Sequence, residues 1–232
     1  MSVLHLRAVI AERGIDVTLD VAAGETVALT GPNGAGKSSL LGVIAGLLRP
    51  DTGEVRLGDR DLDGTPPHAR GVALLAQDPL LFPHMSVLAN VAFAPRARGV
   101  RRHEAHELAA RQLTQVGSEA LAKRKPSQIS GGQAQRVAVA RALAADPELL
   151  LLDEPMASLD VDVRPALRET LRTALADRTA IIVTHDAADA RALADRVVVI
   201  EDGHIVEDGP AAQVLDHPQS AFAVRLVSGS FQ

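Results

Sequence analysis

The stretch Gly31-Pro32-Asn33-Gly34-Ala35-Gly36-Lys37-Ser38 constrains the fold more than any other part of the sequence. It matches the phosphate-binding pattern G-x-x-x-x-G-K-[ST]. The apolar run Thr26–Leu29 precedes it, and apolar residues at helical spacing follow it: Leu40, Leu41, Ile44, Leu47 and Leu48. A strand, a glycine-rich loop and a helix in this order form an anion site from backbone N–H groups. We therefore predict a nucleoside triphosphate site, in which Lys37 reaches the β- and γ-phosphates and the Ser38 hydroxyl binds Mg²⁺.

The chain can bury one substantial core, because 47% of its 232 residues are hydrophobic. The formal charge of −5 argues against a broad polyanion-binding surface, so we expect no nucleic-acid partner. The absence of cysteine excludes disulfides and cysteine zinc sites. The N-terminal sequence predicts no signal peptide, and no apolar run approaches the roughly 18 residues that a membrane span needs. We expect a protein that is soluble by itself.

Hydrophobic periodicity predicts an α/β fold. Apolar residues from Ile15 to Val21 alternate with polar ones, which is typical of a half-buried antiparallel strand. Later buried strands are predicted at Val72–Ala76, Leu149–Leu152, Ala180–Val183 and Val197–Ile200. Helical stretches separate the last three of these runs, and this alternation indicates a parallel sheet covered on both faces.

We predict a P-loop NTPase with a mostly parallel central sheet, an N-terminal antiparallel β subdomain and an inserted helical subdomain. Residues 1–232 would form a single domain, with 1–78 and 146–232 as the catalytic core and β subdomain. Residues 79–145 would form the helical subdomain, in which Glu104–Val116 is the clearest helix. Four arginines of this insertion are interpreted as a solvated face and not as a binding patch: Arg96, Arg98, Arg101 and Arg102.

Two adjacent carboxylates follow the buried strand Leu149–Leu152, namely Asp153 and Glu154. Because neighbouring side chains on a strand project to opposite sides, we expect the two acids to have different roles. Asp153 would hold Mg²⁺ directly or through water, and Glu154 would polarise the water that attacks the γ-phosphate. By itself, an apolar run followed by Asp-Glu could equally be a strand that enters a loop.

A second helix begins after Ser130, Gly131 and Gly132, and its N-terminus is suited to a phosphate. From spacing alone, it could also be a capped helix with no ligand. The order of several motifs along the chain favours a phosphate-binding role for this helix N-terminus over a capped helix with no ligand. The phosphate loop, Ile129–Gln133, Asp153-Glu154, Ser158-Leu159-Asp160 and His185 together resemble the ATPase subunit of an ABC transporter across essentially the whole chain.

The resemblance implies an ATPase, with ATP and Mg²⁺ as cofactors, whose two copies pair head to tail. ATP would lie between the phosphate loop of one copy and Ser130–Gln133 of the other, and Asp160 would contact the facing loop. Gln77 would bind Mg²⁺ and sense the membrane partner, and His185 would contact the γ-phosphate. The implied catalytic residues are Lys37, Gln77, Glu154 and His185, and the implied metal ligands are Ser38, Gln77 and Asp153. The implied nucleotide-binding residues are Gly31, Pro32, Asn33, Gly34, Ala35, Gly36, Lys37, Ser38, Ser39, Ser130, Gly131, Gly132, Gln133 and Asp160.

The sequence departs from the family pattern in two places. Ile129 replaces the usual Leu of the signature, a volume-conserving change. The family usually stacks an aromatic residue on adenine upstream of the phosphate loop, but this chain has no Tyr or Trp and no Phe before Phe82. The planar guanidinium of Arg13 could stack on the base instead.

The segment Asp78–Val91 is similar to importer ATPases that serve oxyanions, molybdate in particular. The resemblance implies a peripheral protein at the cytoplasmic face of the cell membrane, with integral permease subunits as partners and a substrate-binding protein as an indirect one. Leu81, Phe82 and Met85 would receive a membrane-subunit helix or else form the subdomain core. Molybdate-type ATPases often carry a C-terminal regulatory domain, which we do not expect in this chain.

Four other functions share parts of this pattern. An exporter, or an importer of amino acids or metals, would use the same ATP site. ABC-type repair or ribosome-associated factors usually have a long coiled-coil insertion or two cassettes, neither of which this sequence has. A kinase would leave Ser130–Gln133 and His185 without a role. We therefore predict an importer ATPase.

Overall fold

A computed structural model describes residues 2–157 and 159–229. Its strands are β1 (Ser2–Ile10), β2 (Ile15–Ala22), β3 (Thr26–Thr30), β4 (Thr52–Leu57), β5 (Arg60–Asp61), β6 (Val72–Leu75), β7 (Leu149–Asp153), β8 (Ala180–Val183), β9 (Arg196–Glu201) and β10 (His204–Pro210). Its α-helices are α1 (Lys37–Ala45), α2 (Val87–Val91), α3 (Phe93–Ala97), α4 (Arg102–Gln115), α5 (Gly131–Ala144), α6 (Arg164–Leu175), α7 (Ala187–Leu193), α8 (Ala211–Asp216) and α9 (Ala221–Ser228). Short 3₁₀ segments lie at Ala11–Arg13, Pro67–Ala69, Glu119–Leu121 and Pro126–Gln128.

The described chain divides into two compact units. The first unit contains the chain up to Leu74, the segment Glu148–Glu154 and the chain from Leu175 onward. The second unit contains Leu75–Pro147 and Pro155–Ala174.

Two sheets build the first unit. One has the strand order β2-β1-β4-β5 with antiparallel pairs, and the other has the order β10-β9-β3-β8-β7-β6. In the second sheet, β9, β3, β8 and β7 pair in parallel, and β10 returns antiparallel to β9. The predicted fold class, a mostly parallel sheet with an antiparallel β subdomain, is confirmed.

The burial of the strands follows the sequence pattern closely. In β2, Ile15, Val17, Leu19 and Val21 are buried and the residues between them are exposed. In contrast, β8 is buried at every position, as expected for a strand covered on both faces. The strand β6 differs from the prediction, because it ends at Leu75 and only that residue is buried.

Helix α1 is shorter than its apolar pattern suggested. Leu40, Leu41 and Ile44 are buried, but the helix ends at Ala45 and Leu47 is 66% exposed. Gly46 adopts left-handed backbone with φ of 78°, and the N–H of Leu47 bonds to the carbonyl of Gly42 at 2.8 Å. This turn directs the chain away from the helical path, so Leu47 and Leu48 lie beyond the helix that their spacing predicted.

Helices α2 to α5 lie in the second unit. Ala105, Ala109 and Leu113 of α4 lie one turn apart and are buried, and α4 packs against α2 and α5. The predicted helix Glu104–Val116 therefore exists with both ends shifted by one or two residues. The arginines at 96, 98, 101 and 102 are exposed, which agrees with a solvated face. In the part of the chain that the structure describes, every helix is too short or too polar to cross a lipid bilayer.

Candidate functional site

The phosphate loop joins β3 to α1 in the first unit. Gly36 precedes the helix with φ of 103°, and a Cβ there would lie 2.6 Å from Cδ1 of Ile15. Glycine is therefore required both by the backbone conformation and by the close approach of β2. No side chain caps α1 at Gly36, so the first-turn N–H groups point toward the loop without a side-chain acceptor.

Lys37 lies inside this loop and is only 6% exposed. Its Nζ donates hydrogen bonds to the carbonyl oxygens of Gly31 at 2.7 Å and Pro32 at 2.8 Å. Burial lowers the pKa of Lys37 below its ordinary value, while the nearby carboxylates of Glu154 and Asp153 act in the opposite direction. The loop thus positions an ammonium group close to two carboxylates.

Asp153 ends β7 beside the start of α1. The hydroxyl of Ser38 lies 3.3 Å from Oδ1 of Asp153. A hydroxyl and a carboxylate are hard oxygen donors, and Mg²⁺ is usually bound by one or two carboxylates together with substrate phosphate and water. No cluster of three or more His, Cys, Asp or Glu side chains suited to a metal exists among residues 2–157 and 159–229. This pair therefore fits Mg²⁺ held jointly with a phosphate.

Glu154 differs from the strand position that the sequence suggested. The strand ends at Asp153, and Glu154 has left-handed backbone with φ of 47°. The different directions of the two acids thus come from this local turn and not from strand alternation. Such backbone in a residue other than glycine costs about 1–2 kcal/mol and is often found at functional sites.

The turn brings Glu154 to His185, which follows β8. Oε2 of Glu154 lies 2.9 Å from Nε2 of His185, with side chains 18% and 40% exposed. The N–H of Glu154 donates to the carbonyl of Val183 at 3.0 Å, which ties the turn to the end of β8. The sequence did not predict this contact, because the two residues are distant in the chain.

A cavity of about 390 Å³ opens over the loop. Residues of the phosphate loop line it together with Glu154, Arg13 and Ile15. Nη1 of Arg13 donates to the hydroxyl of Ser39 at 2.6 Å. Arg13 therefore lies at the rim of the loop, where the prediction that it stacks on a base stays a prediction.

The second unit carries the other predicted residues. Ser130 caps α5: its Oγ accepts the N–H of Gln133 at 3.4 Å, and its own N–H donates to Oε1 of Gln133 at 3.0 Å. Gly132 lies close to Val163, since a Cβ there would be 2.8 Å from Cγ1 of that residue. The predicted helix N-terminus after Ser130 is present.

Gln77 and Asp160 are both exposed in the second unit. Gln77 follows β6, and the carbonyl of Asp160 accepts the N–H groups of Val163 and Arg164. Ser158, which is part of the sequence resemblance, lies outside the described residues. The structure thus brings Lys37, Ser38, Asp153, Glu154 and His185 together in the first unit, and it places Gln77, Ser130–Gln133 and Asp160 in the second.

The segment after Gln77 has an anchor that the sequence did not reveal. Arg141 of α5 donates to the carbonyls of Pro79 at 2.9 Å and Leu80 at 2.8 Å, and its guanidinium lies 5.7 Å from the ring centre of Phe82. Leu81, Phe82 and Met85 are half-buried, whereas Leu80 is 67% exposed. The prediction that Leu81, Phe82 and Met85 receive a membrane-subunit helix stays a prediction, and Leu80 is the most exposed apolar residue of this segment.

A second cavity adjoins the phosphate loop on another side. It has a volume of about 350 Å³ and is lined by Gly31, Pro32, Asn33, His185, Phe222 and Arg225. Phe222 and Arg225 belong to α9, which the sequence gave no reason to connect with the loop. Their spacing of three residues places them on one helix face, but only the fold brings that face to the site.

A family model of ABC transporters matches residues 15–157, more than half of the chain. Three relatives are similar over most of it. The molybdenum import ATP-binding protein ModC of Mycobacterium tuberculosis is 54% identical, covering 97% of this chain and 64% of the relative. The Fe(3+) ions import ATP-binding protein FbpC of Streptomyces coelicolor is 46% identical, covering 91% and 62%. The sulfate/thiosulfate import ATP-binding protein CysA 2 of Agrobacterium fabrum is 45% identical, covering 91% and 63%.

The chain therefore spans less than two thirds of the length of these relatives. Among solved structures, it resembles a dimeric post-hydrolysis state of an ATP-binding cassette bound to ADP and Pi. That structure has a TM-score of 0.77 and 29% sequence identity, and the match covers 90% of this chain and 98% of the other.

Proposed function

Because the chain belongs to the ABC transporter family, we propose that it is the ATP-hydrolysing subunit of an importer. The observation that carries the proposal is the grouping of Lys37, Ser38, Asp153, Glu154 and His185 around one phosphate loop. This grouping provides a cation, two hard oxygen donors and a carboxylate–imidazole pair. These are the groups that phosphoryl transfer to water requires.

The residues of the loop have separable roles in this mechanism. The N–H groups at the start of α1 and the ammonium of Lys37 bind the phosphates and compensate their charge. Ser38 and Asp153 would hold Mg²⁺, which neutralises charge on the β- and γ-phosphates when it is bound. Gln77 is proposed as a further ligand of this Mg²⁺.

Glu154 is the proposed general base for the attacking water. Its carboxylate at 2.9 Å from His185 is oriented by the imidazole, which can donate to it or to the γ-phosphate. The left-handed backbone of Glu154 holds the carboxylate near Lys37 instead of along the strand. Positioned proton transfer of this kind contributes about 10²–10⁴-fold to a rate.

A second copy completes the site in our proposal. Ser130–Gln133 of one copy would face the γ-phosphate bound by the other, and Asp160 would contact the facing phosphate loop. The dimeric state of the similar ATP-binding cassette supports pairing. ATP binding would then close the dimer, and hydrolysis would reopen it.

The transported substrate is proposed to be molybdate, supported by 54% identity to a molybdenum import protein. The iron and sulfate relatives are also import proteins, which supports import over export. Membrane permease subunits are the proposed partners, with a substrate-binding protein acting indirectly. The chain would act at the cytoplasmic face of the membrane, where Leu80 and its neighbours would receive a permease helix.

Replacing Glu154 with Gln tests the enzymatic part of the proposal. The change keeps the shape of the side chain and removes the base, so we expect ATP hydrolysis to fall at least about 100-fold while ATP binding stays unchanged. Light scattering after size-exclusion chromatography should show a monomer that becomes a dimer when ATP is added without Mg²⁺. Glu119→Gln, at an exposed position of the second unit, is the matched control. Hydrolysis at the wild-type rate by Glu154→Gln would exclude Glu154 as the base.

Uptake measurements test the proposed substrate. In cells that lack this chain, molybdenum content measured by mass spectrometry should fall while iron and sulfur contents stay unchanged. The wild-type chain should restore the content, and Glu154→Gln should not. A selective loss of iron or sulfate uptake would contradict molybdate as the substrate.

A further inference from the structure

The charge of the chain is distributed very unevenly between its two units. The segment Leu75–Pro147 of the second unit carries ten Lys and Arg against five Asp and Glu, out of 24 and 29 in the whole chain. The remaining residues therefore carry 14 basic against 24 acidic side chains. Within the basic segment, residues 79–103 contain no Asp or Glu at all. Such a stretch creates a local positive field on a chain whose total charge is negative.

Four exposed arginines concentrate this charge where α3 is followed by α4. We call them the basic surface: Arg96, Arg98, Arg101 and Arg102. Hydrogen bonds fix the turn between them, since the N–H of Gly99 bonds to the carbonyl of Arg96 at 3.1 Å and Nη1 of Arg96 donates to the carbonyl of Val100 at 3.0 Å. The arginines are thus presented by a defined turn of the second unit.

The basic surface has no carboxylate partner in the part of the chain that the structure describes. The nearby carboxylate of Glu107 lies 3.7 Å from Nδ1 of His103 instead. Arg101 is the N-cap residue of α4 without a side-chain cap, and Arg102 is its first residue, although the positive end of a helix dipole disfavours cations. The arginines therefore repel one another and the helix end, and an anionic surface beside them would relieve this repulsion.

An exposed aromatic ring adjoins the basic surface. Phe93 begins α3, is 43% exposed and lies one helical turn before Arg96. Its ring centre is 4.6 Å from that of Phe82, so the ring is supported by the second unit although much of it stays in contact with solvent. An aromatic ring next to several arginines is typical of segments at a membrane interface, where the ring enters the headgroup region and the cations attract anionic lipids.

We propose that the basic surface and Phe93 contact anionic phospholipids of the membrane. In this contact, the guanidinium groups pair with headgroup phosphates and the ring of Phe93 enters the interface. The proposal rests on the proposed function, because a subunit that docks on membrane permeases lies next to a bilayer. It goes beyond that function, since the chain contacts lipid directly and needs no permease to do so.

The structure changes the interpretation that the sequence alone favoured for these arginines. A solvated face accounts for their exposure, but it does not account for the exposed ring beside them or for the lack of carboxylate partners among the described residues. A nucleic acid fits less well than a bilayer, because the rest of the chain is strongly acidic and would repel an extended polyanion. The observations therefore favour a lipid surface.

Cosedimentation of the whole chain with protein-free vesicles tests the contact. Vesicles of phosphatidylglycerol and phosphatidylcholine in equal parts should bind the wild type, and vesicles of phosphatidylcholine alone should not. Arg98→Glu combined with Arg101→Glu should lower the partition coefficient at least about 25-fold, because each basic residue near an anionic surface contributes about fivefold. Raising the salt concentration from about 0.1 to 0.5 M should also weaken binding of the wild type, since salt screens exposed charges.

Arg49→Glu combined with Arg56→Glu is the matched control. It makes the same change in net charge at two exposed positions of the first unit, so vesicle binding should stay close to that of the wild type. ATP affinity measured by calorimetry should be unchanged in both double variants, which shows that each is folded. Equal loss of vesicle binding in the two variants would mean that only net charge matters, and it would overturn the proposal.

Fluorescence provides a second measurement that does not depend on the charge variants. The chain contains no Trp, so Phe93→Trp gives a protein with a single indole ring. Its emission should shift to shorter wavelength when anionic vesicles are added, because the ring leaves water for the membrane interface. Leu47→Trp, at a 66% exposed position of the first unit, is the matched control and should not shift.

The outcomes separate the lipid contact from the proposed function. If the chain hydrolyses ATP but neither binds anionic vesicles nor shows the shift in Phe93→Trp, only the lipid contact is overturned. Binding that occurs only when the vesicles also contain the permease would assign the basic surface to a protein partner and overturn the lipid contact as well. Binding to anionic vesicles, its loss in the variant with Arg98→Glu and Arg101→Glu, and the fluorescence shift together support it.

Discussion

Helices α1 and α5 both have glycine at their N-terminal ends, Gly36 before α1 and Gly131 as the first residue of α5, but their first-turn N–H groups have different partners. At α1, Gly36 provides no side-chain acceptor, and Lys37 points back to the loop carbonyls. At α5, Ser130 and Gln133 satisfy each other through a capping box. The first helix keeps its donors for a ligand, whereas the second uses part of them internally.

This difference shows that glycine at a helix N-terminus does not define one kind of phosphate site. The α1 site is formed within one unit, with Asp153 and Glu154 beside Lys37. The bond from the N–H of Gln133 to Oγ of Ser130 is long, at 3.4 Å, so the hydroxyl can leave this donor at small cost and donate its own proton to a phosphate. We therefore expect α1 to bind nucleotide in the monomer and α5 to contribute only when a second copy provides a phosphate.

The largest expected effect is the loss of ATP affinity when Lys37, at the start of α1, is replaced. Lys37→Ala removes a buried ammonium that faces the phosphates, so ATP affinity measured by calorimetry should fall about 100-fold or more. Hydrogen bonds to charged groups contribute about 1.5–3 kcal/mol each. Lys123→Ala, at an exposed position, is the control and should bind ATP as the wild type does. Unchanged affinity in Lys37→Ala would refute the phosphate role of this loop.

Substitutions of Ser130 examine the α5 side. In the Glu154→Gln background, Ser130→Arg should leave ATP binding by the monomer intact and abolish the ATP-dependent dimer, because a long cation fills the space for the facing phosphate. Ser130→Ala removes the cap, and its effect on the free energy of unfolding should be only about 0.5 kcal/mol because the bond is long. Loss of ATP binding in the Ser130→Arg monomer would contradict the division of roles between the two helices.

The sequence predicted those parts of the molecule that depend on local patterns. The alternation in β2 and the uniform apolar runs of β7, β8 and β9 led to the correct sheet, because burial on one or two faces determines those patterns. The phosphate loop around Lys37 was also predicted from its local sequence. Each of these features depends on residues that are close in the chain.

Features that depend on backbone deviations or distant contacts could not be predicted. Glu154 leaves the strand through left-handed backbone, which no neighbouring residue signals. Leu47 continues the helical pattern but follows the turn at Gly46, so it is exposed. Arg225 reaches the loop only because α9 is tied to β9 and β10, which is a consequence of tertiary structure.

The C-terminal end of α1 allows a test of how rigidly its N-terminal site is held. Arg70 is buried and donates to the carbonyls of Val43 at 2.9 Å and Ile44 at 3.0 Å, and a Cβ at Gly46 would lie 2.4 Å from its Nε. Gly46→Ala should lower the free energy of unfolding by about 2–3 kcal/mol, through left-handed strain and displacement of Arg70.

Chemical denaturation of a second variant, Gly58→Ala, separates left-handed backbone strain from the displacement of Arg70. Gly58 also has left-handed backbone, with φ of 58°, but open space surrounds its Cβ position. Its substitution should therefore cost only the backbone strain, about 1 kcal/mol. Equal losses in the two variants would mean that Arg70 does not fix the end of α1.

The smallest expected effect concerns the buried charge of Lys37 and the pH dependence of stability. Burial lowers the pKa of Lys37 in the folded chain below the value of 10.5 in the unfolded chain. Between the lowered pKa and 10.5, the unfolded chain binds more protons at this position, so the contribution of Lys37 to the free energy of unfolding rises with pH. Below the lowered pKa, both states are protonated and this contribution is constant.

Urea unfolding of the wild type and Lys37→Met across pH 7 to 10 measures this contribution as a difference. The alkaline range is unusually clean in this chain, because it contains no Cys and no Tyr, and its only other lysines are Lys123 and Lys125. Those two lysines are exposed and present in both proteins, so their titration cancels. The stability of the wild type relative to Lys37→Met should increase toward high pH. A difference that stays constant or decreases would mean that Asp153 and Glu154 outweigh burial, and that α1 presents a fully stabilised cation to its ligand.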